Sequence, residues 1–367
     1  MKKIFLGLAA IAALAACSKS EVEYESTGEI TFTPVTKNIT KSMMLGTEFE
    51  TDENFNVWAF YNPTPNPSND ITAWVADYNG NTSKGAKVYI DEKPFEYHDS
   101  PISNWAGVTP YFWPKVGSLA FAGYYPTTQK ANISYNIENN KMEFSNISKA
   151  WVNDESGTFT EDLMYFNITP AYKEGDVKAV FKHALSWLTV NLSTDETTLG
   201  LGATITVSSV KFTDVKPQGD GVVDNQAAIL WTPKGTAAPV DVIVDAVVLS
   251  ANANKQREPL FIPQTMAGNL EITYTVSSTA DSEGEVSSFT ETKVIELNTL
   301  KGWTPKVENG EIVKDDNDKT VFVEGSTLSS WDAGKHYTYN IVITTSEIII
   351  DASVNTWEEV KFPIDIK

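Results

Sequence analysis

The chain is poor in the residues from which most enzyme and metal sites are built. Of its 367 residues one is cysteine, Cys17, and three are histidine, His98, His183 and His336. A lone thiol excludes an internal disulfide and any thiolate cluster able to hold zinc or an iron–sulfur centre. There is no Gly-x-Ser-x-Gly elbow, no Gly-x-x-x-x-Gly-Lys phosphate loop and no dinucleotide fingerprint. Basic residues are few as well: 28 Lys and Arg stand against 48 Asp and Glu, a net charge of −20. A nucleic-acid binder needs a basic surface, so nucleic acid is excluded as a partner. Two acidic features invite chemistry and do not sustain it. Asp315-Asp316-Asn317-Asp318 lacks the calcium-loop glycine and glutamate, because counting from Asp316 puts Val321 and Thr327 there. Carboxylates are so numerous that spacing singles out no glycosidase pair. His183, between Phe181 and Ala184-Leu185, reads as a structural histidine. The expectation is a protein that is not an enzyme, with no cofactor and no metal.

What the chain does have is folding potential. Hydrophobic residues make up 41%, aromatics 11% with ten Trp, and charged residues 21%. Mean hydropathy is −0.22. These values describe a folded, water-compatible chain long enough for about two domains of ~150 residues.

The N-terminus reads as an address. Lys2 and Lys3 precede an apolar stretch, residues 4–16, too short to span a bilayer and suited to a secretory signal. It ends in Leu14-Ala15-Ala16-Cys17, which resembles the bacterial lipobox, where cleavage precedes a cysteine that is then acylated. Residues 1–16 are therefore expected to leave as a lipoprotein signal peptide. Loss of Lys2 and Lys3 takes the charge from −20 to −22. Each buried methylene is worth about 0.8 kcal/mol, so the two or three acyl chains on Cys17 would anchor the protein stably in outer-membrane lipid. Residues 17–28 read as a polar, acidic tether.

Beyond the tether the dominant period is two. In 337–344 one face carries Tyr337, Tyr339, Ile341 and Ile343; in 270–276 it carries Leu270, Ile272, Tyr274 and Val276. Both are half-buried antiparallel strands by pattern. In 203–212 the apolar phase switches at Ser208-Ser209, the mark of a bulge. Further strands are expected at 55–61, 118–124, 177–181, 187–192 and 240–249. Turn clusters separate them at 62–67, 79–81 and 216–221. No stretch holds a 3.6-residue period, and no repeat of 20–50 residues is found. The expected fold class is all-β, in β-sandwich domains, with a boundary near 170–176 that divides residues 29–172 from 173–367.

Five phrases stand out along the chain. They are Ile30-Thr31-Phe32-Thr33 followed by Lys37 and Lys41; Phe55-Asn56-Val57-Trp58-Ala59-Phe60-Tyr61; Tyr111-Phe112-Trp113-Pro114 with Leu119-Ala120-Phe121-Ala122-Gly123-Tyr124-Tyr125-Pro126; Phe181-Lys182-His183-Ala184-Leu185-Ser186 with Phe261-Ile262-Pro263-Gln264; and Trp331-Asp332-Ala333-Gly334-Lys335-His336-Tyr337-Thr338-Tyr339 with Val354 and Trp357. Together these phrases resemble the fimbrillin family of Bacteroidales, subunits of type V pili. The resemblance implies two transthyretin-like antiparallel β-sandwich domains in tandem, and a lipid-anchored precursor at the outer membrane. It implies that a trypsin-like protease removes the first strand and that another subunit's strand fills the groove, building a surface fimbrium that contributes to adhesion. On this sequence the leaving segment is 29–41, with Lys37 and Lys41 as the basic residues where the family's pattern carries Arg. Residues 342–350 and 354–366 are the candidate donor strands. If the first strand stays, the protein is an anchor or accessory subunit. The alternative is a non-polymerising surface lipoprotein that binds glycans or host ligands through its many aromatics. For Trp58, Trp113 and Trp357 the residue-level reading is core packing. For Gly334 it is a turn that needs positive φ.

Overall fold

The computed structural model describes residues 28–36, 53–62, 87–99, 104–136, 141–152, 162–171, 176–224, 228–279, 286–308, 311–314 and 321–356. The fold is all-β, with strands numbered here in chain order. Seven of them close into a barrel in the order β1 (Thr31–Thr36), β10 (Val177–His183), β9 (Met164–Ala171), β5 (Ser118–Tyr125), β2 (Asn54–Asn62), β3 (Lys87–His98) and β4 (Asn104–Gly107). The apolar run that forms β5 is buried at all eight positions. The reason is that the strand is covered on both faces. Leu119 and Phe121 point into the barrel core with Phe55 and Val57 of β2. Ala120, Ala122 and Tyr124 point outward with Trp58 and Phe60, against a second layer.

That layer is a four-stranded sheet in the order β14 (Leu230–Lys234), β13 (Gln218–Asp224), β7 (Lys141–Ser148) and β6 (Ile133–Asn136). It takes two strands from each half of the chain. Residues 216–221, expected as a turn, turn only at Lys216-Pro217 and then enter β13. Gly219 and Gly221 serve close packing there: a Cβ would come within 2.6 Å of Ile262 Cγ2 at Gly219 and within 2.8 Å of Ile229 Cδ1 at Gly221.

The rest of the chain forms a sandwich. One sheet runs β25 (Phe322–Thr327), β22 (Lys301–Pro305), β28 (Ile348–Thr356), β27 (Lys335–Ile343), β11 (Ser186–Ser193), β18 (Pro259–Phe261) and β8 (Ala150–Trp151), with β17 (Asn254–Lys255) also on β11. The facing sheet runs β15 (Ala238–Asp241), β12 (Thr204–Val215), β20 (Asn269–Ser277) and β21 (Ser288–Glu296), with β16 (Val247–Val248) also on β12. Two short pairs complete the strands, β19 (Gln264–Thr265) with β26 (Ser330–Trp331) and β23 (Val307–Glu308) with β24 (Glu311–Ile312).

The core between the sheets is the one the alternation marks. Tyr337, Tyr339, Ile341 and Ile343 of β27 lie with Leu270, Ile272, Tyr274 and Val276 of β20. The pairing of β12 with β20 shifts register between Val207 and Ser209, so the expected bulge is real. The expected strand at 240–249 is instead two short ones. The Asp241 carboxylate accepts the backbone N–H groups of Ile243 and Val210 at 3.0 and 3.2 Å and turns the chain aside.

Most pairs are antiparallel. Among the described residues three are parallel: β1 with β10, β11 with β27 and β22 with β28. The expected boundary near 170–176 overlaps β9 at Pro170 and Ala171, and Asp176 directly precedes β10; β9 and β10 pair with each other in the barrel. Residues 342–350 cover the end of β27, a turn at 344–347 and the start of β28, two strands that already pair with each other. Most of 354–366 lies outside the described residues.

Candidate functional site: the slot of the first strand

The first strand closes the barrel. Residues 32–36 of β1 pair in parallel with 177–181 of β10, and Thr31 and Phe32 pair antiparallel with Ala106 and Trp105 of β4. The loop after β4 adds a clamp. The Ile30 N–H donates to the Tyr111 carbonyl at 2.7 Å, the Trp113 N–H donates to the Gly28 carbonyl at 3.0 Å, and Glu29 bridges Phe112. The Thr31 hydroxyl donates to the Asp176 carboxylate just ahead of β10.

Alternation places Ile30 and Phe32 on the core side, and both are buried. Phe32 meets Phe95, Phe121 and Phe55 edge-on at 4.9, 5.3 and 5.8 Å between ring centroids, and lies tilted against Phe166 at 6.1 Å. Rings at these distances and angles attract through their quadrupoles as well as by excluding water. The first strand therefore carries a plug that completes an aromatic core to which β2, β3, β4, β5, β9 and β10 also contribute rings.

The two edges of β1 are held unequally. Gly28 and Ile30 direct their backbone groups toward the clamp, so by alternation Phe32 and Pro34 face the same side. There, among the described residues, β4 pairs with Thr31 and Phe32, whereas β10 follows the strand to Thr36. Pro34, which has no N–H to give, lies two residues beyond the last described pair with β4 at Phe32.

Cys17, Lys37 and Lys41 lie outside the described residues, as do residues 315–320 and Trp357. Lys37 directly follows the last residue of β1. Trp58 and Trp113 are buried in cores, and Gly334 has φ +66°.

The titratable groups away from the slot act as structural ties. The His183 imidazole meets the Asp162 carboxylate through Nδ1, both buried where the chain enters β9 and leaves β10. Burial pushes the Asp162 carboxyl up against the opposing pull of His183. Buried Glu258 accepts from Trp187 Nε1 at 3.1 Å and from the Thr189 hydroxyl, and pairs with Lys255 Nζ at 2.7 Å. His336 stacks on Trp187 at 3.8 Å with Nε2 2.8 Å from Thr189 Oγ1. Burial first, and then the Lys255 charge, push its pKa down to about 3, so the ring is neutral. Sequence reasoning missed Asp162 and Glu258: nothing local distinguishes them from the other acids, and only their partners in space do. Among the described residues no group of three His, Cys, Asp or Glu side chains comes together to hold a metal ion.

A sequence profile described as Fimbrillin-like matches residues 40–357, a stretch that opens just past β1. No curated protein matches the chain. Similar solved structures include a fimbrial protein from Bacteroides vulgatus, 14% identical, covering 90% of this chain and 100% of its own with a TM-score of 0.49. Others are candidate cell adhesion proteins from Bacteroides uniformis (13% identical, 90% and 99% covered, TM-score 0.46) and Bacteroides ovatus (12%, 92% and 99%, 0.45). With most of its length matched by the family profile, the chain belongs to the fimbrillin-like family.

Proposed function

We propose that this chain is a structural subunit of a cell-surface fimbrium, made as a precursor anchored in the outer membrane through acylated Cys17. A lysine-accepting protease cuts after Lys37 or Lys41, the first strand leaves, and a strand of a neighbouring subunit takes its place. In this reading each half of the molecule is a transthyretin-like sandwich, the first opened by the loss of its strand. The partners are other subunits of the same kind, and the polymer contributes to adhesion.

The observation that supports this most is the position of β1. It is the first described strand, it lies between β4 and β10, and it sends Phe32 into the middle of the barrel core. Its loss would expose the backbone edges of both neighbours and an aromatic socket, a state that seeks a partner strand. Burying Ile30 and Phe32 is worth about 1.5–3 kcal/mol for each side chain before ordering costs, so an incoming strand with the same alternation has a strong reason to stay. The basic residues at 37 and 41 stand beyond the last paired residue. The sugar-binding alternative has no comparable support. Trp58, Trp105, Trp113, Trp151, Trp187 and Trp331 are buried and offer no platform to a sugar.

The test is to treat the purified precursor with a lysine-specific protease. Ladders and filaments are expected once the bond after Lys37 or Lys41 is cut. Cut protein that stays monomeric with both halves folded would rule out the polymerising subunit.

A further inference from the structure

The sandwich ends in an edge strand that matches itself. β21 lies at one end of its sheet, and among the described residues β20 is its strand partner. The register sets Phe289 beside Val276, Glu291 beside Tyr274, Lys293 beside Ile272 and Ile295 beside Leu270. These four residues of β21 therefore share the core-side face, and Ser288, Thr290, Thr292, Val294 and Glu296 share the other. The strand is well fixed on its inner edge. Thr292 and Thr290 meet the hydroxyls of Thr273 and Thr275 at 2.9 and 2.8 Å, and Glu291 accepts from the Tyr274 hydroxyl at 2.8 Å. Yet Phe289 and Val294 are 52% and 54% exposed. Phe289 also lines an open groove of about 490 Å³ with Leu201, Ala203 and Val276.

We propose that β21 pairs antiparallel with β21 of a second copy of this chain, about a twofold axis at Thr292. In that register Phe289 of each copy faces Ile295 of the other, Glu291 faces Lys293, Thr290 faces Val294, and Thr292 faces itself. Two opposite-charge pairs and two apolar pairs then form on the core side, the cross-strand pairings that stabilise sheets. The neighbouring registers that keep both core faces on one side do not do this. Centring on Glu291 sets the two Glu291 side chains against each other and Phe289 against Lys293. Centring on Lys293 opposes the two lysines and sets Glu291 against Ile295. Charged side chains on an edge ordinarily block chance pairing. Here the opposite signs two residues apart leave one register open, and a twofold contact uses it twice. β21 and β1 belong to different sheets, so pairing at one consumes no edge of the other.

Two measurements on the full chain carrying Cys17→Ser test this. Residues opposite each other in an antiparallel pair have Cα atoms about 4.5–5.5 Å apart, within disulfide reach. Thr292→Cys should therefore give a covalent dimer under mild oxidation. Thr290→Cys, equally exposed but about 14 Å along the strand from its own mate, should not. Sedimentation supplies the second measurement. The chain with β21 unaltered should dimerise, and Lys293→Glu and Glu291→Lys should each weaken the dimer by roughly tenfold or more. The exchanged pair E291K/K293E should recover it. A chain that sediments as a monomer through the high micromolar range, equal cross-linking at 290 and 292, or a folded E291K/K293E that stays monomeric would each overturn the proposal.

Discussion

The barrel and the sandwich treat their edges in opposite ways. Among the described residues the barrel has none, because β1 closes the ring between β4 and β10. Among the described residues the sandwich leaves β21 at the end of its sheet and guards it with charge. A closed sheet is protected as a whole, and it becomes reactive all at once if one strand goes. An open sheet is reactive at low level and can be tuned by single side chains. The first arrangement suits a step triggered by a protease; the second suits a reversible contact between finished molecules.

The largest expected effect falls on the barrel. Phe32→Ala should lower the stability of the precursor by about 3–5 kcal/mol in chemical denaturation, since it empties a socket lined by four other rings. A loss below about 1 kcal/mol would mean that the core closes without the first strand and that the barrel is no more dependent on it than the sandwich is on β21.

The next effect belongs to the sandwich and depends on pH. The folded His336 has a pKa of about 3 against an ordinary 6.5. Between those values the unfolded chain binds a proton that the folded chain refuses. The contribution is full above pH 6.5 and drains away as pH falls toward 3. At pH 4.5 the loss is roughly 2–3 kcal/mol. The urea midpoint should fall accordingly, and His336→Gln should remove most of that fall. An unchanged slope in the variant would place the acid sensitivity elsewhere.

Gly123→Ala sharpens the comparison from inside the barrel. A Cβ at Gly123 would lie 2.2 Å from the Phe166 ring and 2.5 Å from the Asn56 carbonyl oxygen, so overpacking should cost about 1–3 kcal/mol. The smallest effect is at the slot's polar tie. Thr31→Val keeps the shape, removes the bond to Asp176, and should cost about 1 kcal/mol with no change in the folded spectrum.

Much of this was legible in the amino-acid order, because alternation reports which face is buried. β20 and β27 display their core residues without error, and the phase switch at Ser208-Ser209 marks a true bulge, whereas the first strand is placed by family resemblance and not by alternation. Alternation does not report direction or partner. The parallel pairing of β1 with β10, more than 140 residues away, left no local trace. Nor did the mixing of strands in the small sheet, where residues 141–148 pair with 218–224. The strand expected at 240–249 failed for a nameable cause: the Asp241 side chain competes with the ladder for backbone donors. Glycines at 219 and 221 read as a turn because packing against Ile262 and Ile229 has no signature in one chain segment.

The central claim is that the opening strand is a temporary occupant of its own barrel, and the N-terminal residue of the protein recovered from surface filaments tests it most directly. The account predicts a chain that begins at Asn38 or Ser42, with Ile30 and Phe32 gone. Filaments built from chains that still begin at an acylated Cys17, with β1 in place, would contradict it.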